Sequence, residues 1–133
     1  MTQSRAIVNK NDKKRLEPHL ASSAMYTAVH AIRAFLESAR AVPPAQVPPD
    51  IVTMNSRVLV RDPRDDSVDC YLLAYPTEDG ANGETLSVLS PLGSVLLGAR
   101  EGEQVTLMGA RGARNVRVDV IEYQPERAGD YDL

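Results

Sequence analysis

The sequence predicts an α+β protein: a short antiparallel helical hairpin, then an antiparallel β-sheet that carries one short helix. Three changes along the chain predict it. Apolar residues before position 42 recur at helical spacings of three and four, whereas those after position 51 fall into short alternating runs. Between them lies Val42-Pro43-Pro44-Ala45-Gln46-Val47-Pro48-Pro49-Asp50, whose four prolines lack amide donors and fix φ, so neither a helix nor a central strand crosses it. The charge balance shifts at the same place, with seven basic and four acidic residues through Asp50 against eight basic and fourteen acidic from Ile51 onward. Residues 1–42 therefore read as the hairpin, 43–50 as a stiff extended linker and 51–133 as the sheet domain.

In the hairpin, Asn11 or Asp12 is placed to cap a first helix over Lys13–His19, which Pro18 keeps to about two turns. Leu20-Ala21-Ser22-Ser23 reads as the connection, with Ser22 or Ser23 capping a second helix from Ala24 to about Ala41. Met25, Val29, Ile32 and Leu36 form the apolar stripe of that helix.

In the sheet domain, Ile51–Asp62 holds a first strand centred on Val58, Leu59 and Val60. A second follows over Asp69–Tyr75 after a turn at Asp65-Asp66, and a third over Glu84–Leu89 after Gly80-Ala81-Asn82-Gly83. Gln104–Met108 and Val116–Tyr123 supply two more, joined by a turn in which Gly112 takes positive φ. The short helix falls between the third and fourth strands. Ser90 is its N-cap, Pro91 its first residue and Gly98 its left-handed C-terminal cap, while Leu92, Val95 and Leu96 share one apolar face.

Composition removes several functions. A net charge of −3 does not suit a general binder of nucleic-acid backbone, and sequence-specific DNA binding is not expected. With no Trp and a single Phe, Phe35, little material remains for an aromatic-lined pocket or a base-stacking platform. Cys70, the only cysteine, sits in an apolar stretch and reads as a buried, inert thiol. His19 and His30 fall on different helices, and the carboxylates Asp62, Asp65, Asp66 and Asp69 lack the glycine and terminal Glu of a calcium loop. They read as solvated turn residues. No catalytic constellation, metal or cofactor is expected. The N-terminus lacks the apolar run of a signal peptide and no stretch is long enough to span a bilayer, so the expected location is the cytoplasm.

Several segments carry a resemblance. Val52-Thr53-Met54-Asn55-Ser56-Arg57-Val58, Leu86-Ser87-Val88-Leu89-Ser90-Pro91-Leu92-Gly93, Leu96-Leu97-Gly98, Glu101-Gly102 and Tyr123-Gln124-Pro125-Glu126 resemble the C-terminal domain of the GreA/GreB transcription elongation factors. The Val52–Val58 stretch and the close through Tyr131 resemble in particular a small bacterial branch of that family that catalyses nothing. The resemblance implies an FKBP-like sheet domain and a partner, RNA polymerase, bound at the rim of its secondary channel. It implies Ser90, Pro91, Leu92 and Gly93 as the docking surface, with Glu17, His19 and Ser22 at the hairpin tip as channel contacts. A monomer is the favoured state.

The cleavage-stimulating members reach the polymerase centre with a long coiled coil whose acidic tip helps hold Mg²⁺. Such a reach needs roughly 30 residues per arm at about 1.5 Å each, and the ion needs clustered oxygen donors. Glu17 is the lone carboxylate of the expected tip, Glu17–Ser23, so transcript cleavage is not expected. The alternative is an FKBP-like interaction module or prolyl isomerase unrelated to polymerase. Against the isomerase, Tyr71, Tyr75, Tyr123 and Tyr131 read as sheet-packing residues with hydroxyls reaching solvent.

Overall fold

The computed structural model describes residues 6–22, 27–76, 85–109 and 112–130. The chain enters through a short strand, β1 (Ile7–Asn9), and runs directly into α1 (Lys10–Ser22). The second helix, α2 (Thr27–Ser38), leads into β2 (Arg40–Val42), which pairs in parallel with β1, Val8 opposite Ala41. The remaining elements are a single 3₁₀ turn (Pro44–Gln46), β3 (Arg57–Asp62), β4 (Ser67–Ala74), β5 (Thr85–Ser87), α3 (Pro91–Leu96), β6 (Gln104–Gly109), β7 (Gly112–Tyr123) and α4 (Pro125–Ala128). Among the described residues no helix is long and apolar enough to cross a membrane.

The expected antiparallel sheet is in fact mixed. Its order is β5-β4-β3-β7-β6, with antiparallel pairs throughout except β4–β5, which is parallel. The expected first strand also starts late. Ile51, Val52, Thr53 and Met54 are apolar enough for a strand and are buried, but the chain turns at Met54-Asn55, where Asn55 takes φ 66°, and pairing begins only at Arg57.

The first helix is longer than its sequence signals suggest, thirteen residues with Pro18 inside it. A proline there removes one hydrogen bond and frees the carbonyl of Lys14, yet both residues lie on the exposed side of the helix, open to solvent. Leu16 and Leu20, on the opposite side, are buried and hold the turn in place. Leu20 is thus helical core and not part of a connection. The second helix ends at Ser38, three residues early, because Arg40 is taken up in the pairing with β1. Val29, Ile32 and Leu36 are buried as expected, and Met25 falls outside the described residues.

One apolar core runs through the molecule. Leu16, Leu20, Val29, Ile32 and Leu36 from the helices pack in the same cluster as Val58, Val60, Leu73, Val116, Val118 and Ile121 from the sheet. Burying such side chains is worth about 1.5–3 kcal/mol each, which outweighs any tendency of the proline-rich segment to hold the two parts off. That segment is itself tied down. The Gln124 amide donates to the carbonyls of Pro48, at 2.8 Å, and Ile51, at 2.7 Å, and Val47 is buried. Helix α2 packs tightly on the turn after α3 at Gly98, which takes φ 84° and where a Cβ would stand 2.3 Å from the ring of Phe35. Only glycine permits that backbone and that contact.

Candidate functional site

The residues Ser90-Pro91-Leu92-Gly93 sit at the start of α3 and divide into two pairs. Ser90 caps the helix: its Oγ accepts from the Gly93 amide at 3.0 Å and donates to the Ser87 carbonyl at 2.6 Å. Gly93 is buried, and a Cβ built on it would lie 2.1 Å from that same carbonyl. These two residues build the turn. Pro91 is exposed and Leu92 half-buried, so this pair presents surface.

Leu92 borders a cavity of about 60 Å³ between α3 and the sheet, walled by Val60, Tyr71, Leu107 and Val116 and edged by Asp62, Asp69 and Arg114. Asp62 is only 5% exposed and takes hydrogen bonds from Arg64 at 2.9 Å and Arg114 at 3.0 Å, so it is not the solvated turn residue its sequence context suggests. Hydrogen bonds from the Arg64 side chain and amide hold its carboxyl well below the usual carboxylate range. The cavity thus has an apolar floor and a charged, internally paired edge.

The residues expected at the hairpin tip separate. Glu17 points into a cleft of about 380 Å³ between α1 and α2, lined also by Lys13, Leu20, Arg33, Leu36 and Glu37. His19 turns toward the sheet domain, its ring centroid 6.2 Å from that of Tyr75. Ser22 is the last residue of α1, and its side chain lies outside the described residues. Glu17 and His19 therefore do not form one cluster with Ser90–Gly93.

A buried polar network joins α1 to the sheet domain, and the sequence reading missed it. Asn9, not Asn11 or Asp12, caps α1, its Oδ1 accepting from the Asn11 amide at 2.9 Å. Its Nδ2 donates to Glu126 Oε2 at 2.6 Å, and Thr53 Oγ1 donates to Glu126 Oε1 at 2.7 Å. Asp12 accepts from the Met54 amide and from the Tyr75 hydroxyl, each at 3.1 Å. Tyr75 therefore spends its hydroxyl inside the protein, not on solvent. Burial is the main cause, with the nearby Glu126 carboxylate adding to it, that pushes the Asp12 carboxyl up to about 7. Ser56 completes the network, accepting from the Thr53 amide at 3.0 Å. No described buried side-chain nitrogen or oxygen lacks a partner.

One signal for part of this was legible. Gln124-Pro125 ahead of Gly129 has the form of a helix start and stop, and α4 does begin with a Gln124 cap and end at Gly129 with φ 82°. Four residues of helix leave no periodicity to find. Cys70 is half-buried on the sheet's outer face, between Arg57 and Glu122, and not in the core.

The comparisons with known proteins agree with this geometry. Residues 47–123 match the family described as transcription elongation factor GreA/GreB, C-terminal. The chain is 37% identical over 136 aligned residues, covering both proteins in full, to the regulator of nucleoside diphosphate kinase of Escherichia coli K12. It is 40% identical over 63 residues, 47% of this chain and 40% of the relative, to the elongation factor GreA of Syntrophobacter fumaroxidans. Among solved structures, the GreA/GreB elongation factor from Nitrosomonas europaea superposes with a TM-score of 0.75 at 31% identity, covering 91% of this chain and all of the other. The chain belongs to the GreA/GreB family of transcription elongation factors, alongside its regulators of nucleoside diphosphate kinase.

Proposed function

We propose that the protein is a non-catalytic transcription regulator that binds RNA polymerase near the secondary channel and competes there with cleavage-stimulating Gre factors. On this reading the mixed sheet with α3 across it is the FKBP-like docking half of the family architecture, and α1 with α2 is a shortened hairpin. Pro91 and Leu92, beside the small apolar cavity, are the contact surface, held in shape by Ser90 and Gly93. Glu17, His19 and Ser22 are weaker contacts near the channel mouth. The acidic balance of residues 51–133 suits a basic partner surface. The protein acts as a monomer in the cytoplasm.

The observation that carries the reading is the length and chemistry of the helices. At about 1.5 Å per residue, the thirteen residues of α1 and twelve of α2 span only about 20 and 18 Å. From Pro18 to Leu36 the sequence contains no carboxylate at all, so this stretch offers none of the clustered carboxylates that hold Mg²⁺ in such a tip. Such an arm occupies an entrance without carrying a metal to the reaction centre.

Capture by core RNA polymerase at micromolar concentration and low salt tests the docking, with GreA as competitor. Binding that GreA displaces is expected, and no binding under those conditions removes the proposal. Incubation with backtracked elongation complexes tests the second half. Transcripts shortened with fresh 3′ ends would show that the helices do support cleavage.

A further inference from the structure

The network between α1 and the sheet domain brings two buried carboxylates into one seam. Asp12 is 3% exposed and Glu126 7% exposed, and they face the same seam from α1 and α4. The charged and titratable groups around Asp12 are Glu126 from α4, Arg15 on its own helix and Tyr75 following β4, with His19 behind Tyr75. From the turn before β3 only the uncharged Met54 amide reaches it. Among the described residues, Arg15 is the guanidinium that acts on Asp12, and Glu126 is the second sheltered carboxylate that opposes its ionisation. The hydrogen bonds tell the two carboxylates apart. Glu126 accepts at 2.6 and 2.7 Å, the length of bonds to an ionised carboxylate, whereas Asp12 accepts two at 3.1 Å. Asp12 is the member suited to hold a proton.

We propose that Asp12 and Glu126 form a proton-sensitive latch that keeps the helical pair seated on the sheet domain, closed while Asp12 is protonated and loosened when it ionises. Four bonds across the seam meet these two side chains: Met54 and Tyr75 donate to Asp12, and Asn9 donates to the Glu126 that Thr53 also holds. Ionising Asp12 places a second negative charge in the low-dielectric seam beside Glu126.

The direction follows from linkage. With its carboxyl at about 7 in the closed state and an ordinary 3.8 once the seam opens to water, Asp12 favours the closed form fully below 3.8 and ceases to do so as pH rises through 7. Between pH 6 and 8 the opening equilibrium rises about tenfold. The latch concerns the isolated chain, so it stands or falls separately from polymerase binding.

Carbon-13 NMR of the side-chain carboxyls in the full chain reads the titration directly. An Asp12 midpoint near 7 that moves down in Glu126→Gln is the expected result, and a midpoint near 4 overturns the proposal. Hydrogen exchange at the Met54 amide reads the opening. After correction for intrinsic base catalysis, protection should fall about tenfold from pH 6 to 8 and should lose that dependence in Asp12→Asn. The same dependence in the variant overturns it. Should Asp12→Asn not fold, the titration of the unaltered chain alone decides.

Discussion

Asp12 at the α1 seam and Asp62 beside the α3 cavity both expose little surface, 3% and 5%, but Asp12 lies deeper while Asp62 is covered by arginine side chains near the surface, and their carboxyls move in opposite directions. Asp62 lies between two arginines that reach it from the surface and keep their own ends in water. Asp12 has an amide, a phenol and another carboxylate for company, and Arg15 favours its charge less than burial opposes it. Burial sets the cost of a charge, and the partners decide whether it is met. The seam thus surrounds a raised carboxyl mainly with neutral donors, the cavity edge a lowered one with ion pairs, and the two should answer differently to perturbation.

Alanine substitution should show the largest difference. Asp12→Ala leaves the Met54 amide without its acceptor in the interior, takes one partner from the Tyr75 hydroxyl and opens space in the seam, a loss of about 2–4 kcal/mol in chemical denaturation. Asp62→Ala leaves Arg64 and Arg114, which water solvates, and should shift the denaturation midpoint much less. Equal losses at the two sites would end the contrast.

The pH dependence sharpens it. Asp12 has a raised carboxyl, so its contribution is whole below 3.8 and is lost as pH climbs through about 7. Asp62 has a lowered one, so its contribution is present above 3.8 and lost as pH falls below that value. In thermal melts from pH 2.5 to 8, Asp12→Asn should flatten the decline between pH 4 and 7, and Asp62→Asn should weaken the acid limb alone. A variant altering the opposite limb would mean that the groups were assigned to the wrong environments.

How much of this was legible depends on whether the controlling signal is local. The start of α3 could be read because a Ser cap and a Pro in the first turn act within a few residues of where they stand, whereas its C-cap is the extended Leu97 and the positive-φ Gly98 gives its amide to Val52 instead of capping the helix. The turn at Gly112 and the alternation of Val116 and Val118 are equally local. The length of α1 was not, because Pro18 lowers helix propensity nearby, while the burial of Leu16 and Leu20 against distant strands overrides it. Strands β1 and β2 are three residues each and take their identity only from each other across thirty positions of chain. The parallel placement of β5 depends on a returning connection that no residue in the strand encodes. For the candidate site, Leu92 and its neighbours were visible as a motif, but the Asp12–Glu126 seam was not. Asn9, Asp12, Thr53 and Glu126 are ordinary capping, turn and surface residues in sequence, and only the fold brings them together.

The smallest expected effects on stability fall within the four residues of the α3 turn, and they separate architecture from contact. Ser90→Ala removes the bond to the Gly93 amide and should cost about 1 kcal/mol, as the loss of a serine cap does elsewhere. Pro91→Ala changes an exposed side chain at a position where many residues start a helix, and its effect should stay within about 0.5 kcal/mol. Polymerase capture should reverse that order if Pro91 and Leu92 are the contact surface, because the exposed proline meets the partner while the capping serine faces its own backbone. A Pro91→Ala protein of unchanged stability that also binds polymerase unchanged would move the contact off this turn, whereas weakened binding at unaltered stability would separate docking from folding one residue away from the cap.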